Sequence, residues 1–100
     1  MQLVLVTSGT SDVDSLKAAL YHEADAQSKI YGRKGLEGSI AEWTLLIVAS
    51  SQGLVAIANC ILRWQDRRKI KRIKYGDIEI ENPTDEDIKR FREARDERSD

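Results

Sequence analysis

The side chains able to do covalent or metal chemistry in this 100-residue chain are few: one histidine, one cysteine and scattered carboxylates. His22, Glu23 and Asp25 stand together, but on a helix only His22 and Asp25 share a face. Two ligands do not make a metal centre, so this cluster reads as solvated helix surface and no metal is expected. Cys60 lies inside an uncharged stretch and reads as a buried thiol. A Cys60–His22 nucleophilic pair would need an orienting third group and a pocket, and neither is visible. A lone cysteine also excludes an internal disulfide framework and a cysteine-rich zinc site, and it fits a reducing, cytoplasmic setting. Gly32-Arg33-Lys34-Gly35 resembles a phosphate loop only superficially, because the spacing and the terminal Lys-Ser/Thr are missing. The expectation is therefore no catalytic residue, no cofactor and no enzyme.

Charge offers a second kind of chemistry. The net charge is −1, which gives no global pull toward nucleic acid or acidic lipid. Its placement is uneven. Residues 63–74 hold seven bases against Asp66 alone, whereas residues 75–100 hold ten acids against five bases. Within the basic tract Arg63, Arg67, Arg68, Lys71 and Arg72 are candidates for contacts to phosphates or to an acidic partner. The tract has no aromatic platform beyond Trp64 and Tyr75. Its bases also suit a helix C-terminus or pairing with the acidic C-terminal segment.

These residues need elements to position them. Leu3-Val4-Leu5-Val6, closed by Thr7-Ser8-Gly9-Thr10, predicts a buried strand. Ser11 followed by Asp12 and Asp14 predicts a capped helix start, with Val13, Leu16, Ala19, Leu20 and Ala24 at helical spacing to about Ala26. A short strand is expected near Lys29–Gly32, then a glycine-rich loop over 32–39. From about Ile40 a long helix is expected to run to roughly Arg68. Ile70–Tyr75 and Ile78–Glu81, joined at Gly76-Asp77, predict a hairpin. Thr84-Asp85-Glu86-Asp87 after Pro83 opens a last helix, faced weakly by Ile88 and Phe91. The tail is expected to fray over 96–100, leaving one domain over 1–95.

The run Trp43–Leu62 carries no charge in a chain that is 33% charged. It is long enough to cross a bilayer, and tryptophans and a basic flank suit that reading. On a helical wheel, however, Gln52, Asn59, Arg63 and Asp66 form a polar stripe that lipid would not tolerate well. The remaining arc is broad and apolar, wider than one small sheet face needs. A second copy of the chain or another protein would supply the cover. The N-terminus is too short in apolar residues, and lacks preceding bases, to read as a secretory signal.

The order of these features is similar to the effector-associated constant component family of bacterial conflict systems. The resemblance rests on a short strand, a capped helix, the Gly35-Leu36-Glu37-Gly38 element, and a helix of small and aliphatic residues ending Ile61-Leu62-Arg63-Trp64 before Arg67-Arg68. A hairpin and a final helix complete it. Members of that family are encoded beside variable effector domains and are thought to act as adaptors, so the resemblance implies coupling rather than catalysis. It implies a docking element on the long helix, namely Gly53, Leu54, Ile57, Ile61 and Trp64.

The expected fold is a small two-layer α+β domain: a three- to four-stranded sheet packed against a long central helix, in the order β-α-(β)-α-β-β-α. The expected function is a non-enzymatic protein–protein interaction or adaptor module, met by an effector or a second copy. The alternatives are a small nucleic-acid-binding protein using 63–74 and a membrane-anchored component using 43–62.

Overall fold

A computed structural model describes residues 2–50 and 53–98, the side chains of 94–98 excepted. It is an α+β structure with five strands and three helices among the described residues. The elements are β1 (Gln2–Ser8), α1 (Val13–Ala24), β2 (Gln27–Lys34), β3 (Ile40–Val48), α2 (Leu54–Arg63), a 3-10 turn (Arg67–Lys69), β4 (Ile70–Tyr75), β5 (Ile78–Glu81) and α3 (Asp85–Arg98). The sheet runs β2-β3-β1-β4-β5 and every neighbouring pair is antiparallel.

Those pairings make β1 parallel to β2 with β3 between them, and β3 parallel to β4 with β1 between them. The first four strands and two helices thus form two interleaved split βαβ units, extended by β5 and α3. The two crossovers start from antiparallel strands and move in opposite directions across the sheet. With the usual right-handed sense they land on the same face. The burial pattern agrees. Leu3, Leu5 and Thr7 of β1, Leu45 and Ile47 of β3, and Ile73 of β4 are buried. They share one core with Leu16 and Leu20 of α1, Ile57 and Ile61 of α2, and Ile88 and Phe91 of α3. Burying each of the apolar side chains among them is worth about 1.5–3 kcal/mol.

The expected helix over 40–68 is corrected. Its first third is β3, which pairs with β1 from Gln2↔Val48 to Ser8↔Glu42 and with β2 along its length. The chain then turns through Ser50 and Gly53, where the Gly53 amide donates to the Ser50 carbonyl at 2.9 Å, and only Leu54–Arg63 is helical. Trp64 has extended backbone and ends that helix. The sheet accordingly has five strands where three or four were expected. The expected strand near Lys29–Gly32 is real and longer, forming a hairpin with β3.

The other elements fall close to expectation, and their ends have local causes. Asp12, not Ser11, caps α1: its carboxylate accepts from the Ser15 amide at 3.3 Å and the Ser15 hydroxyl at 2.6 Å. The Ser11 hydroxyl instead donates to the Ser8 carbonyl at 2.6 Å, closing the turn after β1. Thr84 and Asp87 cap α3 reciprocally, amide to side chain, at 3.0 and 3.2 Å. Gly76, at φ 57°, makes the β4–β5 turn in a backbone region that glycine enters freely. Gly9 serves differently. A Cβ there would collide with the Ile40 carbonyl, because the Gly9 amide bonds to Ala41 at the mouth of the β1–β3 pair. Helix α3 extends through Arg98, and the expected frayed tail falls partly on 99–100, outside the described residues.

Candidate interaction surface

The five residues expected to dock a partner on the central helix lie in the core. Leu54, Ile57, Ile61 and Trp64 are each at most 5% exposed, and Gly53 is buried. The Trp64 indole donates to the Asp12 carbonyl at 3.0 Å, and the Asp66 carboxylate accepts from the Asp12 amide at 2.7 Å. Together they tie the end of α2 to the start of α1. The surplus apolar width on the wheel came from placing Trp43, Leu46 and Ile47 on a helix when they belong to β3. Of α2, Leu54, Ile57, Ala58, Cys60 and Ile61 are buried, and Val55, Ala56 and Leu62 are half-buried.

The basic tract is dispersed by the fold. Arg63, on α2, pairs with Glu23 of α1 at 2.7 Å. Arg67 pairs with Asp85 at the start of α3 at 3.0 Å and donates to the Trp64 carbonyl. Lys71 pairs with Glu42 at 3.4 Å, and Arg72 bridges Glu79 and Glu81 at 3.1 and 3.4 Å. Arg68 is exposed and makes no ion pair among the described residues. The tract thus divides between the helical layer and the opposite face of the sheet, and its bases largely meet carboxylates. Such exposed pairs contribute little each, about 0–1 kcal/mol.

The remaining candidates separate too. Cys60 is buried, and its thiol faces the Ala19 carbonyl at 3.7 Å and Glu23 at 3.9 Å. Burial, reinforced by the Glu23 charge, pushes that thiol above its ordinary range, which disfavours the nucleophilic thiolate. A cavity of about 330 Å³ beside it is lined by Ser15, Ala19, Glu23 and Arg63 among others, without His22. His22 is exposed and stacks edge-on against Tyr21. No group of three metal-ligating side chains occurs among the described residues. Gly32-Arg33-Lys34-Gly35 ends β2 and enters its hairpin turn, where Gly35 bonds to the Ser39 carbonyl at 2.6 Å. No helix among the described residues is long and apolar enough to cross a membrane, and the 43–62 run is divided between a strand and a helix.

The surface that sequence reasoning missed is the second face of the sheet. All three helices pack on the other side. Alternation leaves Gln2, Val4, Val6 and Ser8 of β1 pointing away from the core, beside Glu42, Thr44, Leu46 and Val48 of β3. None of these eight is buried, and Val48 is 43% exposed. The rows across the face follow from the register. One row is Lys29–Leu46–Val4–Lys74–Glu79, and the next is Tyr31–Thr44–Val6–Arg72–Glu81. An apolar centre is therefore framed by cations on both flanks. Lys29, Arg33 and Lys74 make no ion pair among the described residues, and Tyr31 is 55% exposed. The signal was present in the sequence as Gln2/Val4/Val6/Ser8, but β1 read as buried on both sides.

No protein-family model, no curated protein and no solved structure matches this chain. The fold and this surface are therefore the ground for a functional reading, and a fold by itself does not specify one.

Proposed function

We propose that this chain is a non-enzymatic protein–protein interaction module, an adaptor that couples an effector in a cytoplasmic bacterial defence system, and that it docks through the open face of its sheet. One observation carries the proposal. Val4, Val6, Leu46 and Val48 form a contiguous apolar strip on a helix-free face, with cations along both sides. Contiguous exposed apolar surface rimmed by polar groups marks interaction sites. The coupling role is taken from the sequence resemblance to the effector-associated constant components, and the proposed docking residues move from the helix to the sheet.

The test is co-expression with the products of adjacent genes, followed by size-exclusion chromatography with light scattering. A defined complex or homo-oligomer is expected, lost in a Leu46→Lys/Val48→Lys variant whose circular dichroism is unchanged. A chain that stays monomeric with every such product, or a complex that survives the variant, overturns the proposal.

A second reading, a small nucleic-acid-binding protein, draws on Lys29, Arg33 and Lys74, which make no ion pair among the described residues, beside exposed Tyr31. Cations with a stacking aromatic suit a single strand. One aromatic is a meagre platform, and the central rows offer Val and Thr where bases would stack. Steeply salt-dependent binding of an oligonucleotide, weakened in a Lys29→Ala/Arg33→Ala/Lys74→Ala variant, would favour this reading over the first.

A further inference from the structure

The sheet has a second unfilled feature, and it lies at its edge. Strand β2 is one of the two edge strands, the longer at eight residues, and it pairs only with β3 among the described residues. Its other side presents a row of backbone N–H and C=O groups without a strand to receive them. Along that side, between α1 and the start of β2, runs a groove of about 490 Å³. Its walls include Ala18 and Tyr21 of α1, Ala26, and Ser28 of β2. Tyr21 is 63% exposed there. The Ser28 hydroxyl is buried without a hydrogen-bond partner among the described residues, which is a costly state for a polar group. Charge narrows the occupant. Strand β2 carries Lys29, Arg33 and Lys34 and no acid, while Asp14 and Lys17 in the groove offset one another.

We propose that β2 receives an extended, acidic segment of a protein partner as an added strand, with that segment's apolar side chains seated in the α1–β2 groove. The proposal rests on the adaptor reading and specifies how the partner is held. Main-chain hydrogen bonds supply affinity in this mode and the pocket supplies selectivity. Like-charged β2 strands from two copies would meet with three cations on each, which disfavours self-pairing and favours a carboxylate-bearing strand.

The full chain is tested with four probes: a nine-residue peptide alternating Val and Glu, the same peptide with proline at every second position, its Val/Lys counterpart, and a dodecamer of thymidine. Binding is read by fluorescence anisotropy and by amide hydrogen exchange. The Val/Glu peptide is expected to bind at least tenfold more tightly than the proline and Val/Lys peptides. It is also expected to slow exchange at alternate amides within 27–34. Absence of binding, equal binding of the proline peptide, or protection confined to β5 overturns the proposal. So does a concentration-dependent oligomer that protects β2 in the free chain. Preferential binding of the oligonucleotide overturns the adaptor reading as well. A partner complex that forms without protecting β2, yet is lost in Leu46→Lys/Val48→Lys, overturns this inference and leaves the adaptor reading standing.

Discussion

Strand β1 carries apolar side chains at the middle of both its faces, in opposite surroundings. Leu3 and Leu5 are fully buried beneath the helices, while Val4 and Val6, one residue away, sit on the face that no helix covers. A strand that served only the core would place polar residues at those outer positions. Here Val4 and Val6 stand at the centre of outer rows whose ends are Lys29, Tyr31, Glu79 and Glu81, and β3 repeats the pattern with Leu45 and Ile47 inside, Leu46 and Val48 outside. The inner apolar side chains are explained by the core they fill. The outer ones are covered by no helix among the described residues, and the proposed docking face rests on this difference.

The sharpest way to break the comparison is to truncate on each face in turn. Leu5→Ala should cost about 2–5 kcal/mol, as for buried leucines whose surroundings collapse only partly. Val6→Ala should cost less than about 1 kcal/mol, within the range of surface substitutions. Urea unfolding measures both. Equal costs would show that the outer face is packed and would remove the case for a docking surface.

The same two-sidedness explains what could be read from the sequence. The hairpin over 70–81 was legible because Ile78-Glu79-Ile80-Glu81 alternates cleanly and Gly76-Asp77 marks the turn. Helices α1 and α3 were legible from their caps and acidic first turns. Strand β3 was not, because Trp43-Thr44-Leu45-Leu46-Ile47-Val48 is apolar toward both faces and shows no period of two. It merged with the apolar α2 into one run of helical length. The punctuation was there, in Ser50-Ser51-Gln52-Gly53, but it reads equally as a kink or as a close helix contact. Because the open face is built from β1 and β3, reading β3 as helix hid that face and placed the expected docking residues on and beside α2, where they are buried.

Next in size is Gly9→Ala, at the inner end of the β1–β3 seam. The added methyl meets the Ile40 carbonyl, and the Gly9 carbonyl that accepts from the Trp43 indole at 3.1 Å must shift with it. A loss of about 1–3 kcal/mol is expected, read as a lower urea midpoint. On the same inner face Thr7 is fully buried and its hydroxyl has no hydrogen-bond partner among the described residues. Thr7→Val keeps the shape and removes the unpaired group, so a gain of about 1–2 kcal/mol is expected. A loss instead would mean that the hydroxyl is satisfied, and that this face is less uniformly apolar than the outer one.

The covered face also depends on helices whose starts are sensitive to acid. Hydrogen bonds from Ser15 hold the Asp12 carboxyl below its ordinary 3.8, and those from Thr84 do the same for Asp87. A carboxyl lowered by folding adds stability that is fully present above its unfolded pKa and is lost as pH falls through the folded one. The difference in melting temperature between the parent chain and Asp12→Ala should therefore be constant above about pH 5 and shrink toward about pH 2. A difference that persists at the acid end would place the cap's contribution elsewhere than in its charge.

The smallest expected effect on stability carries the most weight for the open face. Val48 is 43% exposed at the end of β3, across from Gln2 and Gln27. Val48→Lys removes little burial and suits a strand surface, so its effect on unfolding should stay within about 0.5 kcal/mol. For association the same change is expected to be large, because a charge enters the end of the apolar strip, one row from Lys29 and Lys74. Dissociation of the complex at unchanged stability would separate the two faces as no core variant can. If Val48→Lys instead destabilises the monomer as Leu5→Ala does, the outer face is part of the core's own packing, and the partner must be sought along the β2 edge alone.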